Sequence, residues 1–195
     1  MSGISIVVRQ EPASVLTDYA TIPISFEVSE VFDVTLAPDG SGSYDLTTRR
    51  LTEPYTKNYD AEGGSPTDWP SRFNVSDCVV FSAFVESVRV GGAVIIPDSL
   101  SGAPDHGFDA ALLWDLRVSP EWRRRGVGAQ LFHTAEKWAT ESGFKQLKVE
   151  TQNNNVAACR FYAKQGCVLR EVHRGAYSQF PNENQLLWFK SLRSD

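Results

Sequence analysis

Three consecutive arginines and two closely spaced glycines stand together at Arg123-Arg124-Arg125-Gly126-Val127-Gly128. They follow a strand-like run, Ala110 to Val118, that Pro120 stops, and they open an amphipathic helical pattern. A helix N-terminus carries unpaired backbone N–H groups and the positive end of the helix dipole. Glycine at that point lets an anion approach the backbone closely. The arginines add charge for the same anion. The chemistry this spacing predicts is binding of a diphosphate or a similar group.

The segment is not a P-loop, because no G-x-x-x-x-G-K-[ST] occurs in the chain. It is not the dinucleotide fingerprint either: Gly126-Val127-Gly128-Ala129-Gln130-Leu131 lacks the third glycine and lies far along the sequence. His106, His133 and His173 have no metal-ligand spacing among themselves or with Cys78, Cys159 and Cys167, so no metal is expected. The cysteines form no Cys-x-x-Cys pair and read as reduced thiols, with Cys159 a buried structural one.

The elements that must position this turn can be placed by periodicity. Strands are predicted at Ile4 to Val8, at Ser25 to Leu36 with a slip in phase between Val28 and Phe32, and at Tyr44 to Leu51 after the Pro38–Gly42 turn. Residues 53–77 read as a long polar loop with one short helix, long enough that part of it is expected to face substrate. Val79 to Val85 is a buried strand, and a turn near Arg89 to Gly92 leads into Ala93–Ile96. Residues 97–109 form a second polar loop before the 110–118 strand. Val127, Leu131, Ala135 and Trp138 then recur at helical spacing within 125–141, and Gly143 ends the helix. Leu147 to Thr151 alternates as a strand. Asn155 to Gln165 is a second helix, capped by Asn155 and stopped by Gly166; Cys167 to Val172 and Gln185 to Phe189 close the sheet. The order predicts a mixed α/β sheet.

Composition narrows the partners. The chain has 195 residues, a net charge of -5 and 42% hydrophobic residues, which suits one globular domain. No basic patch interleaved with aromatics points to nucleic acid. No signal peptide and no apolar run of about 18 residues is present, so a cytoplasmic protein that does not cross a membrane is expected.

The pattern Arg123-x-x-Gly126-x-Gly128 at a strand-to-helix turn resembles the acetyl-CoA motif of the GNAT N-acetyltransferases. Asn155-x-x-Ala158-x-x-x-Tyr162-x-x-x-Gly166 is similar to the second signature of that family. Within it, Glu150 to Lys164, Tyr177 to Asn184, Phe26 to Leu36 and Pro54 to Tyr59 look like the streptothricin acetyltransferases. The match is close over 110–189, patchy over 26–60 and weak over 61–109, and does not cover 1–25. Trp114 stands where members often have an acidic residue, and Cys167 where they usually have Phe.

The resemblance implies a single GNAT domain over 1–195, with a mostly antiparallel sheet splayed at the acetyl-CoA site and flanked by helices. It implies direct acetyl transfer from acetyl-CoA, without metal, to the primary amine of a small molecule such as streptothricin. An alternative acceptor amine, a protein lysine, or a non-catalytic acetyl-CoA sensor are the other readings. Arg123, Arg124, Arg125, Gly126, Val127 and Gly128 would hold the cofactor, with Leu116, Val118 and Asn155 along its pantetheine arm. Tyr162 would be the general acid toward the leaving thiolate, and Asp115 the general base, with Glu150 next. A polycationic acceptor would meet carboxylates and aromatic faces, for which Glu30, Asp33, Tyr55 and Tyr59 are the candidates. GNAT folds often dimerise, and Trp188 and Phe189 on the last strand would contribute to a homodimer.

Overall fold

The computed structural model describes residues 5–97 and 109–192. The expected 97–109 loop, with His106, falls almost wholly outside the described residues. The chain divides into two compact units, one of residues 5–25, 58–97, 109–147 and 192, the other of Phe26–Lys57 and Lys148–Ser191.

The first unit is built on strands β1 (Ile6–Glu11), β4 (Val79–Val85), β5 (Val88–Pro97) and β6 (Ala110–Val118), antiparallel in that order. The helix α4 (Val127–Glu141) packs on β5 and β6, burying Val127, Leu131, Phe132, Ala135 and Ala139. Its end is marked by Gly143 at φ 84°, the left-handed conformation that closes helices at low cost.

The expected turn at Arg89 to Gly92 is not there. The chain reverses at Glu86 and Ser87, and Gly91 and Gly92 lie inside β5. Their lack of side chains serves the two faces of the sheet. A Cβ on Gly91 would come within 3.0 Å of Val127 Cγ1 and 3.1 Å of Leu131 Cδ1, so this glycine lets α4 sit close. A Cβ on Gly92 would come within 2.3 Å of the Tyr19 ring on the other face. Tyr19 ends a short helix, α1 (Leu16–Tyr19), that sequence periodicity does not reveal. It packs with Leu16, Trp69, Val80 and Val94 in a buried cluster.

The second unit contains a long hairpin of β2 (Phe26–Leu36) and β3 (Tyr44–Lys57), and the strands β7 (Gln146–Gln152), β9 (Asn184–Ser191) and β8 (Val168–Arg174), neighbours in that order. Two residues of β7 belong to the first unit. The phase slip in β2 is a register shift between Val28 and Glu30, where the partner jumps from Tyr55 to Arg50. Pro54, which has no N–H to give a ladder, lies in the skipped stretch. The strand therefore continues to Lys57, six residues beyond the expected Leu51. The helix α5 (Val156–Lys164) begins at Asn155, whose side chain accepts from the Ala158 N–H at 3.1 Å, and ends at Gly166 with φ 85°. Trp188 is buried, donating from Nε1 to Thr151 Oγ1 at 2.9 Å, and Phe189 is buried beside it on β9. Both are core residues with no surface left for a dimer contact.

The long segment after β3 is more ordered than a loop. It holds α2 (Tyr59–Gly63), α3 (Trp69–Arg72) and a 3-10 turn over Val75–Asp77.

Candidate active site

The turn expected to bind an anion lies at the start of α4, two residues later than the helical spacing placed it. The helix starts at Val127, with Gly126 as its N-cap at φ 88° and no side chain capping it. No acidic residue occupies the first turn of α4. A Cβ placed on Gly126 would have no atom within 4 Å, so the approach to these backbone N–H groups is open. The site thus fits an anionic group such as a diphosphate.

The three arginines have different surroundings. Arg123 is spent on the backbone: Nε donates to Val118 O at 3.0 Å and Nη2 to Ser25 O at 3.1 Å, tying the turn to β6 and to the N-terminal segment. Arg124 takes a left-handed φ of 61°, and Arg125 lies over the Trp122 ring at 5.3 Å. Val127 is fully buried and anchors the helix, while Gly128 is half-buried in its first turn. Leu116 and Val118 are half-buried on β6, paired with Ala93 and Gly91.

Asp115 is buried and accepts three hydrogen bonds. Its Oδ1 accepts from the Tyr19 hydroxyl at 2.5 Å and from Arg117 Nε at 2.9 Å, and its Oδ2 accepts from Arg117 Nη2 at 2.8 Å. Arg117 also forks onto Asp60 of α2, at 3.0 and 3.1 Å, and donates to Ile22 O at 3.1 Å. Its guanidinium stands 5.0 Å from the Tyr19 ring centroid. Burial acts to lower the Arg117 pKa, but Asp115, Tyr19 and Asp60 outweigh it and raise the value. Burial and the Asp115 charge raise the Tyr19 phenol well above its ordinary value. Sequence reading picked out Asp115 but missed Tyr19, Arg117 and Asp60. The Asp-x-Arg spacing on a strand was the available signal, since residues two apart share a face.

Trp114 precedes Asp115 and is the extra residue of a β-bulge: Val94 pairs with Asp115 and Ile95 with Leu113, leaving Trp114 without a partner. Its ring meets Phe73 at 5.4 Å and Trp69 at 6.2 Å, both edge-on. Tyr59 of α2 is half-buried in this same unit.

In the second unit, three of the segments singled out in the sequence come together. The Tyr55 hydroxyl accepts from Asn154 Nδ2 at 3.0 Å. Buried Lys57 pairs with Glu183 at 2.7 Å and lies 4.0 Å from the Phe180 ring centroid. The Tyr177 hydroxyl donates to Glu150 Oε1 at 2.7 Å, and Gln185 donates to Oε2 at 2.8 Å. Tyr162 is buried on α5, edge-on to Phe161 at 5.1 Å. Cys159 is buried beside Thr151, and burial pushes its thiol up to about 11, which suits an inert structural residue. The two carboxylates expected to attract a cation are already paired: Glu30 with Arg160 at 2.6 Å, and Asp33 with Arg49 at 2.9 Å. Among the described residues no group of His, Cys, Asp or Glu could hold a metal ion, and no helix is long and apolar enough to cross a membrane.

Known proteins resemble both the sequence and the fold. A streptothricin acetyltransferase of Escherichia coli is 33% identical over 84% of this chain and 84% of its own length. Streptothricin acetyltransferase A of Bacillus subtilis is 31% identical over 76% of this chain and 79% of its own. Among solved structures, a Bacillus anthracis acetyltransferase in complex with acetyl coenzyme A superposes with a TM-score of 0.78 at 24% identity, covering 96% of this chain and 99% of that one. A nourseothricin acetyltransferase superposes at 0.73 with 23% identity, over 96% of this chain and 99% of that one. These two show the fold, a mixed α/β arrangement with a mostly antiparallel sheet flanked by helices. The profile of the acetyltransferase (GNAT) family matches residues 44–167, across both signatures. The chain belongs to this family and is an acetyl-CoA-dependent N-acetyltransferase.

Proposed function

We propose that the enzyme acetylates a primary amine of a streptothricin-type antibiotic, taking the acetyl group directly from acetyl-CoA. The observation that carries this reading is the identity of 31% and 33%, over most of the chain, to streptothricin acetyltransferases. The side-chain contacts among Tyr55, Asn154, Lys57, Phe180 and Glu183 support it, because they tie together the segments that look like that subfamily.

Each residue then has a task. The N–H groups at Gly126, Val127 and Gly128 receive the diphosphate, with Arg124 and Arg125 adding charge and Arg123 holding the turn. Leu116 and Val118 line the pantetheine arm through their backbone, and Asn155 contacts it while capping α5. Tyr162 donates its hydroxyl proton to the departing thiolate. The acceptor ammonium, with a pKa of about 10.4, must lose a proton before attack. Asp115 accepts three hydrogen bonds from Tyr19 and Arg117 and is ion-paired with the latter, so we assign it to holding β6 rather than to proton removal. Glu150, held by the neutral donors Tyr177 and Gln185, is the better proton acceptor, acting through water. Tyr55 and Tyr59 offer aromatic surface to the cation, whereas Glu30 and Asp33 are left to their arginine partners.

The test is a screen of amine acceptors, streptothricin included, followed by release of free CoA thiol. Turnover of streptothricin ahead of simple polyamines, aminoglycosides and lysine peptides is expected. Turnover of an unrelated amine with none on streptothricin would overturn the substrate assignment. In the same assay Glu150→Gln should lower kcat/KM for the amine by about 10²-fold with acetyl-CoA affinity kept, the scale for losing a positioned base.

A further inference from the structure

Trp114 is the one tryptophan among the large hydrophobic side chains exposed in the described residues, at 41% exposure. Its placement is built. In the β5–β6 register Gly92 faces Arg117 and Val94 faces Asp115, on the side of the sheet that carries Tyr19 and Trp69. An unbulged strand would turn residue 114 to the opposite side from Asp115. The bulge adds a residue and brings Trp114 round to the same side, where it meets Trp69 and Phe73. Trp69 is buried at 4% exposure and rests in turn on Tyr19, 6.4 Å away. Three elements therefore fix the indole: the bulge, α3, and the Tyr19 cluster beneath it.

We propose that Trp114, backed by Trp69 and Phe73, is a specificity surface for a remote ammonium group of a polycationic acceptor. This rests on the amine-acceptor reading above and adds a residue that reading does not use. Two features of the surroundings match a cation. Aromatic faces attract ammonium groups, most strongly when the ring is tryptophan. The segment that supplies Trp69 and Phe73, residues 58–77, carries Glu62, Asp68 and Asp77 against Arg72, besides Asp60, which Arg117 pairs. Arg72 donates to the Gly63 carbonyl within the same segment. An anionic ligand would meet repulsion here, and an apolar one would gain nothing from the acidic excess.

The experiment compares wild type, Trp114→Leu and Trp114→Phe with streptothricin and with a simple alkyl monoamine as acceptors. Trp114→Leu should raise KM for streptothricin about ten-fold, the scale of a partly desolvated cation–π contact. It should leave KM for the monoamine unchanged, because a monoamine has no second ammonium to place. Trp114→Phe should recover most of the loss. The acetyl-CoA affinity and the melting temperature of each variant serve as controls for folding. An unchanged streptothricin KM in Trp114→Leu, or an equal rise for both acceptors, would overturn the inference while leaving the acetyltransferase assignment intact. Failure of the wild type to turn over any amine would overturn the proposed function, and this inference with it.

Discussion

Replacing Arg117 by Met should destabilise the enzyme by about 3–5 kcal/mol, the scale for removing one partner of a buried ion pair. The size follows from what the arginine leaves behind. Its side chain is 1% exposed and serves two carboxylates at once, Asp115 at 7% and Asp60 at 20% exposure. Met fills most of the volume but supplies no donor, so Asp115 retains only the Tyr19 hydroxyl and the Ile22 carbonyl loses its Nη1 partner. In a chain of 195 residues, each kcal/mol moves the melting temperature by about 2–4 °C, so a fall of about 6–20 °C is expected. Scanning calorimetry at pH 7 measures it. The double variant Arg117→Met/Asp115→Asn should recover part of the loss, because the penalty lies in a charge left unpaired. A fall of less than about 3 °C, or no recovery in the double variant, would refute the view that this network holds α2 and the N-terminal segment to β6.

Three further predictions concern other parts of the chain. Tyr19 holds its proton more tightly in the folded state than in the unfolded chain, through burial and then the Asp115 charge; its contribution is fully present below about pH 10 and is lost as pH rises through the folded-state value, so Tyr19→Phe should flatten the alkaline fall of melting temperature. Gly128→Glu puts bulk and negative charge into the first turn of α4 and should abolish acetyl-CoA binding by calorimetry with the circular dichroism spectrum kept. Tyr162→Phe should lower kcat by about 10²-fold with acetyl-CoA affinity retained, as for loss of a positioned acid; an unchanged single-turnover rate would make Tyr162 a core residue only.

Much of this was legible because it rests on short-range rules. Helical spacing located α4 and α5, and Asn155 and the glycines at 143 and 166 marked their ends, since caps depend on a few adjacent residues. The Arg-x-x-Gly-x-Gly turn was readable for the same reason. What stayed hidden depends on contacts far apart in sequence. Gly91 and Gly92 read as a turn, yet they are strand residues whose bareness answers to Leu131 and Tyr19. Tyr19 lies 96 positions from its partner Asp115, and nothing near either residue announces the other. The β6 bulge depends on how β5 pairs with it, so the direction of Trp114 could not be read from β6 alone. Glu30 and Asp33 were sensible cation-binding candidates by type, but Arg160 and Arg49 reach them in the fold.

The most direct test of the central claim is mass spectrometry of streptothricin incubated with the purified enzyme and acetyl-CoA. The account predicts a product heavier by one acetyl group, carried on a primary amine, and formed in step with free CoA thiol. Streptothricin recovered unmodified, under conditions in which the enzyme acetylates a different amine, would contradict it.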